Sequence, residues 1–232
     1  MATGFYDANG IWNYGEDDNI ALFSDTLNKL ADSTSDAFTS DRSRISTLES
    51  GNLAGLIPVK PVSVAVAGGT AAVNTLGVVT FTNATSLSLN NVFTSNYDNY
   101  KIHIVSVAST SPTQLSFRLR VSGADSSTLT YNRSAINQLG NSGVVAWWDA
   151  NAAQAGISVI QDTHKNYSVI ELADVTKASR TTALFQSRGY SGSTGYFAGA
   201  ILHSETVAYD GITISPGANS FTGTIQVFGY ND

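Results

Sequence analysis

Short β-type segments follow one another from Val62 to the end of the chain, and no amphipathic helical pattern separates them. Within residues 115–121 apolar and polar side chains alternate, which is the pattern of a strand with one buried face. Turn-forming residues such as Pro112 and Gly123 bound such segments. A parallel sheet needs crossover helices, which this region lacks. We therefore predict a mainly β protein whose head, residues 62–232, is an antiparallel, jelly-roll-like β-sandwich.

The predicted strands share apolar alternation or a high content of β-branched and aromatic residues. They are 62–66, 77–82, 85–89, 100–108, 115–121, 144–148, 156–160, 167–175, 181–187, 196–203, 211–215 and 221–229.

The chain has 232 residues and no cysteine. This length allows one sizeable domain with an appendage, or two small domains. A body of that size buries about 70% of its unfolded surface, so it needs neither disulfides nor structural zinc. The absence of cysteine excludes disulfides, thiol nucleophiles and cysteine–metal sites. The three histidines do not have metal-ligand spacing, so we expect structural or surface histidines and predict neither metal nor cofactor.

The net charge of -6 lies entirely in the first 50 residues, which hold nine acidic and three basic side chains. Residues 51–232 hold nine of each and are neutral. This composition predicts a domain boundary near residue 50. It also argues against nucleic-acid binding, which needs a basic face to neutralise phosphates. The uncharged stretch 61–97 is interrupted by glycine and asparagine, so we do not expect it to insert into a membrane.

Residues 1–19 carry aromatic side chains among glycine, asparagine and acidic residues, with no regular period. Aromatic residues are favoured at interfaces, so we predict an extended docking leader that becomes ordered on a partner. A frayed terminus or a cap on the following helix is the alternative. The predicted docking residues are Phe5, Tyr6, Trp12 and Tyr14.

Residues 20–50 have helical spacing and are predicted to form a coiled-coil stem. The apolar stripe follows 3-4 steps, includes one extra 4-residue step, and passes through the polar Asp41. Packing of this helix on its own body is the alternative. Residues 51–61, with Gly51, Pro58 and Pro61, are predicted to be a neck. The stem positions are Ile20, Phe23, Leu27, Leu30, Thr34, Phe38, Ile45 and Leu48.

No catalytic motif emerges from the sequence, and we predict no enzyme and no catalytic residues. The Gly-rich segment 189–195 matches neither a nucleophile elbow nor a phosphate-binding loop. A glycosidase needs two carboxylates about 5–10 Å apart, and the closest group in sequence is Asp162, Glu171 and Asp174. Solvated charges explain that group more simply.

Aromatic residues beside small polar residues are better suited to ligand binding. Trp147 and Trp148 are adjacent in a predicted strand, so one indole is expected to enter the core and the other to be exposed. Burial of both is the alternative. Loop aromatics beside glycine and serine are further candidates. The predicted ligand-binding residues are Trp147, Trp148, Tyr190, Tyr196 and Tyr209.

The aromatic-acidic segment 4–19, followed by Phe23-Ser-Asp-Thr-Leu-Asn-Lys-Leu30, resembles the start of minor tail proteins from phages of actinobacteria. Segments 93–102 and 117–123, with Tyr131, look like the β-rich head domain of phage fibres. The ending 221–230 is similar to the closing strand of that domain. The likeness covers both ends and about a third of the body, and residues 135–215 match least.

The resemblance implies a tail fibre or receptor-binding protein of the virion, commonly homotrimeric, that attaches through its N-terminus to other tail proteins. It supplies no catalytic residues. We expect the heads to meet a host-surface glycan or wall polymer. The start of the chain has no secretory signal pattern, so synthesis in the host cytoplasm is expected. A purely structural fibre, collar or capsid decoration protein is the alternative, and a cell-envelope polysaccharide hydrolase is a further one.

Overall fold

A computed structural model of the chain describes residues 5–6, 8–10, 12–13, 20–49, 55–108, 112–140, 143–161, 164–190 and 194–231. The chain divides into two compact units, Met1–Leu53 and Ala54–Asp232. The described residues are mainly β-strand in antiparallel sheets, with one helix. The prediction of a mainly β, antiparallel fold is therefore confirmed. We call the second unit the β-domain.

The described residues of the first unit that precede the helix include a small antiparallel pair. Strand β1 (Phe5–Tyr6) pairs with strand β2 (Trp12–Asn13). Gly10, between them, has a φ of 73°, a left-handed conformation that favours glycine. The predicted docking residue Tyr14 and the side chains of β1 and β2 lie outside the described residues.

Helix α1 (Ile20–Glu49) spans 30 residues, in agreement with the predicted helical segment, and is about 45 Å long at 1.5 Å per residue. Every described side chain on it, from residue 28 to residue 44, is exposed. Two threonine hydroxyls bond back to carbonyls of the preceding turn: Thr34 to Leu30 at 2.8 Å and Thr39 to Ser35 at 2.9 Å. Side chains at the predicted stem positions Ile20, Phe23, Leu27, Ile45 and Leu48 lie outside the described residues.

The smaller sheet of the β-domain has six strands, and all its neighbouring strands are antiparallel. Its strand order is β10-β9-β17-β7-β4, and β13 also pairs with β9. The strands are β4 (Ser63–Ala67), β7 (Ser86–Asn90), β9 (Thr113–Val121), β10 (Ala124–Asp125), β13 (Ala155–Ile160) and β17 (Gly211–Pro216).

The larger sheet has ten strands in the order β12-β11-β16-β15-β14-β8-β18-β6-β5, with β3 paired to β18. All its pairs are antiparallel too. The strands are β3 (Ile57–Val59), β5 (Thr70–Val73), β6 (Val79–Ala84), β8 (Asn99–Ala108), β11 (Tyr131–Leu139), β12 (Val145–Ala152), β14 (Asn166–Ala173), β15 (Arg180–Tyr190), β16 (Thr194–Thr206) and β18 (Phe221–Tyr230).

The two sheets contribute to one hydrophobic core. Strand β8 shows how: Ile102 and Ile104 are fully buried, while Lys101 and Val105 on the opposite face are only partly covered. On the smaller sheet, Phe117 of β9 is buried in the same core. Because alternate residues of a strand point to opposite faces, each strand of the larger sheet leaves a second, outward face.

The β-domain starts earlier than the boundary predicted at residue 62. Ile57–Val59, assigned to the neck, pairs with Val227–Gly229 of β18. Pro58 cannot donate to a ladder, and it is tolerated here because β3 has only this one partner in the sheet. Residues 51–54 of the predicted neck lie outside the described residues.

The sequence prediction missed β11, a nine-residue strand between β12 and β16. Its inward positions include Arg133 as well as Tyr131, and both are buried. An inward arginine interrupts the apolar alternation from which strands are recognised. The strand is held instead by a complete ladder with β16 and by an irregular one with β12.

Replacement of a core side chain in the larger sheet should destabilise the β-domain strongly. We expect Ile104→Ala to lower the free energy of unfolding by about 2–5 kcal/mol, because a buried cavity replaces the lost side chain. Chemical denaturation of the full chain measures this. Val105→Ala, at the adjacent outward position, is the matched control and should cost less; equal losses would contradict the assignment of the two faces.

Candidate binding surface

The outward face of the larger sheet carries two parallel rows of side chains that cross the strands. Neighbours in each row are paired residues of adjacent strands. The first row is Trp148, Ser134, Ala200, Leu184, Glu171 and Lys101. The second row is Asn132, Leu202, Thr182, Ala173, Asn99 and Tyr230.

A groove with a volume of about 690 Å³ is lined by members of both rows. This volume is in the range of small-molecule sites. Small side chains at Ala200 and Ala173 leave room between the larger side chains of Leu184, Leu202 and Tyr230. The groove therefore exists because short residues occupy the middle of an exposed sheet face.

The adjacent tryptophans divide between the two faces, as predicted for residues next to each other in a strand. Trp148 faces outward and is 70% exposed. Trp147 packs against the core, with ring contacts to Phe185 at 6.4 Å and Phe197 at 5.3 Å between centroids. Trp148 can therefore contact a ligand on the outward face, whereas Trp147 supports the core side of the same strand.

A buried arginine fixes Trp147 in place. The Arg133 guanidinium carbon lies 3.4 Å from the centre of the indole, a cation–π contact. Its Nη1 donates to the carbonyl of Gly156 at 2.8 Å, and its Nη2 is 2.5 Å from the Asp149 carboxylate. These partners compensate for much of the cost of burying the charge, so the cluster is structural.

The other predicted ligand-binding residues do not form one site. Tyr196 is 46% exposed on β16, outside the groove lining. The side chain of Tyr190 lies outside the described residues. Tyr209 is only 2% exposed, so the prediction that it contacts a ligand is corrected: it lies in a buried hydrogen-bond network. Sequence proximity to Asp210 and Gly211 made it resemble a loop residue.

His203 is the centre of that network. Its Nε2 lies 2.8 Å from the Tyr209 hydroxyl and 3.1 Å from Ser126 Oγ. Both hydroxyls donate to Glu205 Oε2 at 3.0 Å. The imidazole also stacks on Tyr131, with centroids 4.1 Å apart.

Both ring nitrogens of His203 have hydroxyl partners. Nε2 faces Ser126 and Tyr209, whose hydroxyls donate to Glu205, and Nδ1 lies 3.0 Å from Thr130 Oγ1. Burial lowers the pKa of His203, with the Glu205 charge opposing that shift. The Thr128 hydroxyl is the main cause of a lowered pKa at Glu205. Burial raises the pKa of Tyr209 to about 12. The network is thus satisfied with a neutral imidazole and an ionised carboxylate.

This cluster contains a serine, a histidine and an acid but has the wrong arrangement for a hydrolase triad. In a triad the acid orients the histidine nitrogen opposite the nucleophile. Here Glu205 bonds to Ser126 itself, and Thr130 occupies the opposite nitrogen. The network instead ties the segment 126–130 to β16. Residues 126–130 are irregular rather than strand, so the strand period could not have indicated this role.

The carboxylates considered for a glycosidase are dispersed. Glu171 forms an ion pair with Lys101 at 2.7 Å, Asp174 pairs with Lys177 at 2.8 Å, and Asp162 lies outside the described residues. In the part of the chain that the structure describes, no cluster of three or more potential metal ligands occurs. No helix among the described residues is long and apolar enough to span a membrane.

The sequence matches no protein-family model and no curated protein, so a function is inferred from the geometry of the chain itself.

The His203 network predicts loss of stability in mild acid. The lowered pKa of His203 means that the unfolded chain takes up a proton more readily than the folded one. The contribution of His203 to the free energy of unfolding is complete above its pKa in the unfolded chain, about 6.5. It is lost as the pH falls below that pKa. The lowered pKa of Glu205 adds a further loss below about 4.5.

Denaturation of the full chain between about pH 7.5 and pH 5.0 measures this effect. His103 also has a lowered pKa because of burial, so part of the slope comes from that residue. We expect His203→Gln to flatten the pH dependence. An unchanged slope in His203→Gln would contradict the assignment.

Proposed function

We propose that this chain is a structural protein of a phage tail, a fibre or receptor-binding protein that acts in the virion. Its N-terminal segment attaches to other tail proteins, helix α1 associates as a homotrimeric coiled-coil stem, and the β-domain, a jelly-roll-like sandwich, is presented to the host cell surface. The ligand there is a surface glycan or wall polymer. The proposal assigns no catalytic activity and no membrane insertion.

The exposed apolar side chains of α1 carry this proposal. Leu30 is 62% exposed and Phe38 is 67% exposed, and they flank Thr34 on one helical stripe. Burial of a leucine or phenylalanine side chain contributes about 1.5–3 kcal/mol, and a polar helix of this kind is marginal without packing. Association of several copies through this stripe would supply the missing contacts.

The β-domain supports a role in attachment by its outward sheet face. That face has an exposed indole and a groove, and residues 51–232 as a whole carry no net charge. Each contact with a polymeric ligand would be weak, but linked domains on one stem bind with an avidity well above the affinity of each. A trimer would thus convert a shallow site into stable adhesion.

Two substitutions in the stem test the association. We expect Leu30→Gln with Phe38→Gln to convert a trimer of the full chain into monomers, because glutamine keeps the helix propensity but removes the apolar contacts. Sedimentation equilibrium measures the mass. Asp32→Gln with Asp36→Gln, on exposed positions of the same helix, is the matched control and should remain trimeric.

A wild-type chain that is monomeric at micromolar concentration would contradict the stem assignment. Location is tested separately with antibodies against the β-domain on particles of the phage that encodes the chain. Label at the end of the tail supports attachment, whereas label on the capsid supports a decoration protein. A tail component that decorates no host cell would favour a purely structural fibre.

A further inference from the structure

We propose that the groove on the outward face of the ten-stranded sheet is a binding site for a linear, uncharged saccharide chain. The proposal rests on the attachment function proposed above, and it names the site and the class of ligand. The groove lies between the row that begins at Trp148 and the row that ends at Tyr230.

The dimensions of the groove favour an extended ligand. Its lining crosses four neighbouring strands, β11, β16, β15 and β14, and reaches Tyr230 on β18. Strands lie about 4.8 Å apart, so these four strands span about 14 Å, and Tyr230 adds to the lining beyond β14. A chain of several sugar rings can lie along it, whereas a single small metabolite would occupy only a part.

The groove lining contains both apolar and hydroxyl-bearing side chains, which match the C–H faces and the hydroxyl groups of a sugar. Ala200, Leu202 and Ala173 form apolar patches for the C–H faces of the rings. Ser134 and Thr182 place exposed hydroxyls beside them, suited to sugar hydroxyls. Such mixed surfaces give specificity through a few hydrogen bonds and affinity through apolar contact.

The groove is formed before a ligand arrives. The Asn132 side chain accepts from the Asn151 amide at 3.1 Å and donates to Thr130 O and Ser204 Oγ, each at 3.1 Å. The strands beneath are paired on both sides, so their positions are fixed. A rigid site loses little conformational entropy on binding.

Trp148 continues the first row on the neighbouring strand, beyond the end of the groove. Its indole is the most exposed aromatic ring described in the β-domain, and no ring contact with another described residue holds it. An indole face carries a negative quadrupole that attracts the C–H groups of a flat sugar face. A saccharide lying in the groove would extend onto this ring.

The charges favour a neutral ligand. Glu171 and Tyr230 are the ionisable side chains of the outward rows that line the groove, and Glu171 is neutralised by Lys101 at 2.7 Å. A phosphorylated or uronic-acid polymer would meet the carboxylate without a free cation in the lining. A basic polymer would have to displace Lys101.

A peptide ligand fits the groove less well. Peptides that bind to sheets usually add a strand at a free edge, where main-chain groups are unpaired. Here the four strands under the groove are all internal to the sheet, so their main-chain hydrogen bonds are already made. Recognition has to come from side chains, which suits a polyol with hydroxyls on both edges.

The test uses the full-length protein and linear oligosaccharides of glucose, galactose, mannose and arabinose. Uronic-acid and phosphorylated oligosaccharides are the charged comparison set. Binding is first measured on an array, and the best neutral ligand is then titrated by calorimetry. We expect binding to neutral chains that strengthens with chain length.

Two pairs of variants locate the site. Ala200→Ile fills the groove floor, and Ala198→Ile makes the same change at the next outward position of β16, outside the groove lining. Trp148→Ala removes the exposed indole, and Tyr196→Ala removes an exposed aromatic ring elsewhere on the face. We expect a loss of about tenfold or more for Ala200→Ile and Trp148→Ala, by analogy with the loss of a stacked base, and little change for the controls.

Several results would overturn the proposal. These are unchanged affinity in both Ala200→Ile and Trp148→Ala, preference for charged oligosaccharides, and no binding of any neutral chain by the wild type. A change of oligomeric state in Ala200→Ile would instead show that a second copy covers this face. Circular dichroism confirms that each variant is folded.

Failure of the groove and failure of the proposed function can be distinguished. If the protein is trimeric and lies at the tail end but binds no neutral saccharide, the proposed function stands and only the saccharide site is wrong. If the protein is monomeric but binds saccharide in the groove, the saccharide site stands and the assignment as a fibre is wrong.

Discussion

The common core of the two sheets is the constraint on which the β-domain depends. Each strand of the larger sheet commits alternate residues, such as Ile102 and Ile104 of β8, to that core. The remaining residues must then face outward, because side chains alternate along a strand. The outward face of the larger sheet is consequently a broad surface on which small residues such as Ala200 and Ala173 can leave a groove without disturbing the fold.

Polar clusters complete the parts of the core that apolar side chains do not fill. Arg133 joins β11 to the carbonyl of Gly156 and to Trp147, and His203 joins β16 to segment 126–130. Buried polar groups are costly unless they are paired, so these clusters specify one arrangement of the strands. Both clusters link segments that are distant in the chain. The surface that can meet a ligand lies on the opposite side of the sheet.

Periodicity predicted much of this architecture. The helical spacing of residues 20–48 corresponds to α1, and the alternation in residues 100–108 and 115–121 corresponds to β8 and β9. Strand β11 was missed because Arg133 takes an inward position, where a sequence pattern expects an apolar residue. The prediction that Tyr209 contacts a ligand was wrong for a related reason. Local composition cannot reveal that His203 and Glu205 surround its hydroxyl.

Composition and the two-residue period of a strand are enough to predict the class of fold, the uneven charge, the lack of cysteine chemistry and the opposite orientation of Trp147 and Trp148. They do not predict which strands are neighbours, which is known from the folded domain. The groove depends on that order, because Ser134, Ala200, Leu184 and Glu171 are far apart in the chain and become one row through strand pairing. Register between distant strands is set by packing of the whole domain, which no local pattern records.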